Sequence, residues 1–75
     1  MDILAQPIEI ETNVDGAIAS GALFISVKNV GTAIATVNGV NLSPREAKSY
    51  SFVGKAYVAI HYVTNGSILR IMTIR

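Results

Sequence analysis

Polar and apolar residues alternate with a period of two along much of this chain. In Gln6 to Thr12 (QPIEIET), Ile8 and Ile10 share one face while Glu9 and Glu11 share the other. That pattern predicts a half-buried or edge strand, with Pro7 confined to its start. Ala22 to Lys28 (ALFISVK) predicts a second strand, in which the consecutive Leu23, Phe24 and Ile25 leave both faces apolar. Ala33 to Val37 predicts a third. Asn38-Gly39 then signals a hairpin, because type I′ turns need positive φ at both central residues, and Val40 to Leu42 returns as its short partner. Ser49 to Val53 (SYSFV) and Ala56 to Val63 (AYVAIHYV) predict two more strands. After Asn65-Gly66, Ser67 to Arg75 (SILRIMTIR) reads as the antiparallel partner of Ala56 to Val63 in a C-terminal hairpin.

The intervening segments are turns. Asn13 to Gly16 (NVDG) and Asn29 to Thr32 (NVGT) carry turn residues, while Ala17 to Gly21 (AIASG) is Ala-rich enough for one helical turn. Gly21 and the β-rich run after it argue for strand. Ser43-Pro44-Arg45-Glu46 has the letters of a helix capping box. The strand expected at Ser49 leaves room for one turn of helix at most, so a plain β-connection is expected. Evenly spaced turns without linkers predict one all-β domain over residues 1–75, a small antiparallel β-sandwich or barrel of about six or seven short strands.

Composition agrees with this and removes several function classes. Ile and Val together number 18 against 4 Leu, an excess that favours strands. With 51% hydrophobic and 15% charged residues the chain is no candidate for intrinsic disorder. It has no Cys, which removes disulfides and thiolate metal sites. A net charge of +1 with scattered basic residues is no footprint for nucleic acid. The longest uncharged stretch, Asn29 to Pro44, is too short and too polar to span a bilayer, and with Met1 followed by Asp2 no secretory signal is expected. Neither nucleic acid nor membrane is expected as a partner.

Candidate chemistry is sparse. His61 is the only conventional base, and it stands within an apolar strand rather than beside a nucleophile. One His without Cys makes no zinc site. The glycines Gly16, Gly21 and Gly31 follow no phosphate-binding spacing. Glu9 and Glu11 read as solvated edge charges that discourage edge-to-edge pairing. Tyr57 and Tyr62 have opposite parity, so one strand cannot display both on one face. No catalytic, cofactor-binding or metal-binding residue is assigned, and no cofactor is expected.

Parity points instead to association. Ala56, Val58, Ile60 and Tyr62 share one face of their segment, and Tyr57, Ala59, His61 and Val63 share the other. Likewise Ile68, Met72 and Ile74 lie opposite Leu69 and Ile71. A chain this short without disulfides or metal commonly relies on oligomerisation, and a bare second apolar face exceeds what soluble monomers tolerate. A homo-oligomer, or docking within a larger assembly, is therefore expected. The candidate interface residues are Tyr57, Ile60, His61, Tyr62, Ile71 and Met72.

Residues Phe24 to Phe52, FISVKNVGTAIATVNGVNLSPREAKSYSF, resemble small bacteriophage virion proteins. There a V-x-N-x-G strand end is followed by a short strand, an N-G turn, an L-x-P-G-E turn and another strand. The tail YVAIHYVTNGSILRI resembles the hairpin that often closes such chains. Leu42-Ser43-Pro44-Arg45-Glu46 occupies the L-x-P-G-E place, with Arg45 where that pattern has glycine. The resemblance covers about half the chain and implies a structural, non-enzymatic role in a capsid, head fibre or tail, located in the virion among other virion proteins. Similar V-x-N-x-G-x-A text occurs in immunoglobulin-like sandwich modules of adhesins. That likeness implies the alternative, a binding module for carbohydrate or cell-surface recognition.

Overall fold

The structure is a computed structural model that describes residues 7–75, so Gln6, the expected start of the first strand, lies outside the described residues. Eight strands follow in order: β1 (Pro7–Thr12), β2 (Gly16–Ile18), β3 (Phe24–Asn29), β4 (Ala35–Val37), β5 (Val40–Leu42), β6 (Ala47–Tyr50), β7 (Ile60–Val63) and β8 (Leu69–Ile74). They form two antiparallel sheets, ordered β1-β8-β3-β6 and β2-β7-β4-β5. The all-β expectation holds.

Alternation along the sequence reappears as alternation of burial. Ile25, Val27 and Asn29 of β3 and Leu69, Ile71 and Thr73 of β8 point inward and are buried. Ala35 and Val37 of β4 and Ile60 and Tyr62 of β7 meet them from the second sheet. The core is this layer between two sheets, each contributing every second residue. Ile18 of β2, Ala22, between β2 and β3, and Leu42 of β5 complete it.

Six of the seven connections between described strands carry the chain from one sheet to the other. The exception is β4–β5, the hairpin signalled by Asn38-Gly39, whose φ angles of 53° and 77° are both positive. The letters Asn65-Gly66 adopt the same left-handed pair, φ 51° and 84°, with Ser67 N–H donating to Thr64 O at 2.9 Å. Here the turn is an arch and not a hairpin, which corrects the expected C-terminal pairing. β7 pairs with β2 and β4, whereas β8 lies between β1 and β3. The cause lies in the flanking residues, Thr64 and Ser67, which are both buried and tied to segments of different sheets, the turn into β2 and the end of β3. Thr64 N–H donates to Asp15 Oδ1 at 2.9 Å, and Ser67 Oγ donates to Asn29 Oδ1 at 2.6 Å.

Several strands are shorter than their apolar letters suggest. The third starts at Ala35 because the Ala33 carbonyl is taken by the Asn29 side chain. The expected strand Ser49 to Val53 shifts toward the N-terminus, to Ala47–Tyr50, and the expected Ala56 to Val63 shrinks to Ile60–Val63. Residues 51–59 form no strand; Gly54, at φ 91°, turns this arm. Tyr57 fastens it to the turn before β3: its N–H donates to Ala22 O at 2.8 Å and its carbonyl accepts from Gly21 N–H at 2.9 Å. Ser43 to Glu46 makes a β-turn, not a helix. Glu46 N–H donates to Ser43 O, Arg45 sits at φ 72°, and the Glu46 carboxylate accepts the Ser43 N–H at 2.7 Å. Pro at the second position and positive φ at the third are the marks of a type II turn, in which glycine is the favoured third residue.

Candidate functional site

Three places hold chemistry or surface beyond ordinary packing. The first is the end of β3. Asn29 is fully buried and all the hydrogen-bonding capacity of its amide is used. Nδ2 donates to Ala33 O (2.8 Å) and Leu42 O (2.9 Å), while Oδ1 accepts from Gly31 N–H (3.1 Å) and Ser67 Oγ (2.6 Å). Its backbone joins the type II turn, donating to Glu46 O and accepting from Arg45 N–H. One residue therefore ties the turn after β3, the end of β5, the turn before β6 and the arch before β8. Gly31 lies so close to that arch that a Cβ would come within 2.5 Å of Ile68 N. This site leaves no free polar group to bind or transform anything; it is a structural joint. The V-x-N-x-G letters at Val27, Asn29 and Gly31 were its signal in the sequence.

The second place is the arm, residues 51–59. Phe52 is 59% exposed, Val53 72% and Val58 77%, and Lys55 carries the arm's single charge. Tyr57 alone is half-buried, its hydroxyl donating to Ser51 O and its ring meeting Tyr50 edge-on at 5.7 Å. The arm leaves the sandwich at the end opposite the Asn29 joint, since it continues from Tyr50, which stands opposite Ile25.

The third place is the seam between β1 and β2, the neighbouring edges of the two sheets. Ile8, Ile10 and Thr12 stand opposite the buried Thr73, Ile71 and Leu69, and so belong to the inner face. The second sheet stops at the three-residue β2, however, and leaves Ile8 38% and Ile10 46% exposed. A cleft of about 150 Å³ lies there, walled by Ile8 and Ile10 on one side and Ala17 and Ala19 on the other, with Tyr62 and Ile71 as its floor. Arg75 closes it, donating to Ser20 O at 3.0 Å and Ala19 O at 3.1 Å. Gly16 leaves room for Tyr62, whose hydroxyl would lie 2.9 Å from a Cβ at that position. On the outer face, Arg70 pairs with Glu11 at 3.1 Å, while Glu9 stands opposite Met72.

The residues expected at an interface divide between these surroundings. Ile60, Tyr62 and Ile71 are buried, covered by the chain's own opposite sheet. His61 is exposed on the outer face of the second sheet, Met72 is half-buried on the outer face of the first, and Tyr57 anchors the arm. Within Ile60–Val63 and Leu69–Ile74 parity sorted the faces as the structure has them, whereas Ala56 to Ala59 lie outside the strand and parity does not apply to them; with both faces apolar it could not say which turns inward. The exposed hydrophobics Phe52, Val53 and Val58 were missed because their letters read as strand; Gly54-Lys55 in their midst was the available hint. Among the described residues no three His, Cys, Asp or Glu side chains gather as a metal site, and no helix is long and apolar enough to cross a membrane. Compared with known proteins, the chain matches no family model, no curated protein and no solved structure.

Proposed function

We propose that this chain is a non-enzymatic structural subunit that works by associating with copies of itself, as a component of a phage virion such as a decoration, head-fibre or tail protein. The observation that carries the reading is the distribution of hydrophobic side chains. Among the described residues ten large ones are exposed, almost as many as the eleven hydrophobic residues of the core. A small domain gains little from so thin a core, and association supplies the missing burial. The arm is the surface that fits this role. It is apolar, carries one charge and projects from the sheets, and every other copy offers the same patch, as a two-fold interface requires. The turn at Leu42 to Glu46 is compatible with the resembling pattern, because Arg45, where that pattern has glycine, takes the left-handed conformation for which type II turns favour glycine. A carbohydrate-binding module would place tyrosines on an open platform. Here Tyr62 is buried, and Tyr50 and Tyr57 are half-buried against each other.

Light scattering coupled to size exclusion tests this on the full chain. The expected mass is that of two or more chains, reverting to one on Val53→Asp with Phe52→Ser, with the β-sheet circular dichroism preserved because both side chains are exposed. A wild-type protein that stays at 8.0 kDa across a concentration series overturns the proposal.

A further inference from the structure

We infer that the free edge of β1 is a docking site for one additional strand, donated by a partner whose extended segment alternates apolar residues with lysine or arginine. The site is separate from the arm and does not rest on self-association. Geometry supplies the first half of the inference. Among the described residues β1 is hydrogen-bonded to β8 alone, so its other side offers the N–H and C=O groups of every second residue to a further strand. Strand addition there would continue the inner face past Ile8 and Ile10. The inward side chains of the added strand would then enter the cleft between β1 and β2 and close the open seam of the sandwich. The opposite edge of this sheet is unlike it. Lys48 of β6 stands opposite Val27 and shares the inner face, its ammonium 5.6 Å from the Tyr50 ring centroid, so a strand added there would bury a charge.

Charge supplies the second half and decides the occupant. Outward side chains of an added strand would stand beside Glu9 and Glu11, at the 4.5–5.5 Å typical of cross-strand pairs. A second copy is a poor occupant. Two β1 strands that meet antiparallel with their inner faces continuous and more than three residues paired set Glu9 against Glu9 or Glu9 against Glu11, and like charges directly opposite are destabilising. What β1 does accept is already visible on its paired side. There β8 presents Arg70 to Glu11 at 3.1 Å and Met72 to Glu9, with Ile71 and Thr73 inward opposite Ile10 and Ile8. The free side asks for apolar residues inward and a basic one outward beside Glu9, the glutamate that β8 faces with no cation. The two glutamates thus exclude a copy and select a basic partner.

The test uses the full chain carrying Val53→Asp, so that association through the arm is separate from strand binding. Its probes are fluorescein-labelled hexapeptides: Lys-Ile-Lys-Val-Lys-Ile, its glutamate counterpart Glu-Ile-Glu-Val-Glu-Ile, and a block-ordered Lys-Lys-Lys-Ile-Val-Ile. Fluorescence anisotropy should show the alternating basic peptide binding at least tenfold more tightly than either control. Amide hydrogen exchange should slow at residues 8–12 and not at 47–50. Glu9→Lys with Glu11→Lys should invert the preference toward the acidic peptide; both positions are exposed, and Glu9→Lys alone, which keeps the Glu11–Arg70 pair, should weaken binding of the basic peptide. Equal binding of the two alternating peptides overturns the inference, as does protection at β6 in place of β1. So does protection of residues 8–12 that rises with protein concentration without peptide, since that would mark a second copy as the occupant.

Discussion

Replacing Asn29 with Ala should be the most damaging conservative change in this protein. The amide serves four groups. Leu42 O and Ser67 Oγ are buried, whereas Ala33 O and Gly31 N–H are partly buried. A buried group left without its partner costs about 1–3 kcal/mol, and a partly buried one that recruits water costs less, so the loss comes to about 4 kcal/mol. A domain of this length is stable by about 4–11 kcal/mol. Asn29→Ala should therefore lower the melting temperature by about 20 °C or leave the chain unfolded at 25 °C. Urea unfolding followed by far-UV circular dichroism reads the change as a fall in midpoint at constant slope. Ser67→Ala breaks only the 2.6 Å bond and should cost about 1–2 kcal/mol, which keeps the site measurable if the first variant does not fold. The double variant should be less destabilised than the sum by about 1 kcal/mol, because the Ser67 hydroxyl orphaned by Asn29→Ala is then absent. Stability within about 1 kcal/mol of wild type for Asn29→Ala, or strict additivity in the cycle, would refute the view that this residue joins four segments.

Arg45→Gly should stabilise the fold. An L-residue in the left-handed region costs about 1–2 kcal/mol and glycine's extra chain entropy returns about half of that, so melting should rise by about 2–8 °C; a lower melting temperature would count against the type II turn. Gly31→Ala should cost about 3 kcal/mol in the same urea assay, because its Cβ would meet the backbone at Ile68 N and Ser67 Cα and neither can swing aside. A neutral Gly31→Ala would mean that the arch stands farther from β3 than 2.9 Å between Val30 N and Ile68 O implies.

Local chemistry in this chain is legible and its long-range consequences are not. Asn38-Gly39 and Asn65-Gly66 carry the same letters and take the same left-handed pair of angles, yet one closes a hairpin and the other bridges two sheets. The difference comes from Asp15 and Asn29, 49 and 38 residues from the groups they bind, and no local pattern encodes that. In the same way, Ser43 to Glu46 realises half of its capping-box letters, the Glu46 carboxylate on the Ser43 N–H, without any helix behind it. The hydrogen bond depends on the three-residue spacing, which a turn and a first helical turn have in common. β1 was legible in full from Pro7 onward, because alternation of Ile and Glu defines both a strand and its edge.

The two ends of the molecule are built to different standards, and this separates stability from the proposed association. At the Asn29 end, the arch and the turns that meet it satisfy their buried polar groups through Asn29, Asp15, Thr64 and Ser67. Such a network cannot shift to accommodate a partner without orphaning one of its members. At the opposite end, the arm keeps Phe52, Val53 and Val58 in solvent, and its fastening to the sandwich is a short set of bonds around Tyr57. Along the β1 edge no described strand pairs with the backbone on its outer side. Substitutions near Asn29 should therefore change melting temperature before they change binding. Substitutions in the arm and at Glu9 or Glu11 should change partners while leaving the fold in place. The ends are distinguishable physically because burial of polar groups demands complete pairing, whereas exposed apolar side chains and free strand edges cost stability nothing until another surface meets them.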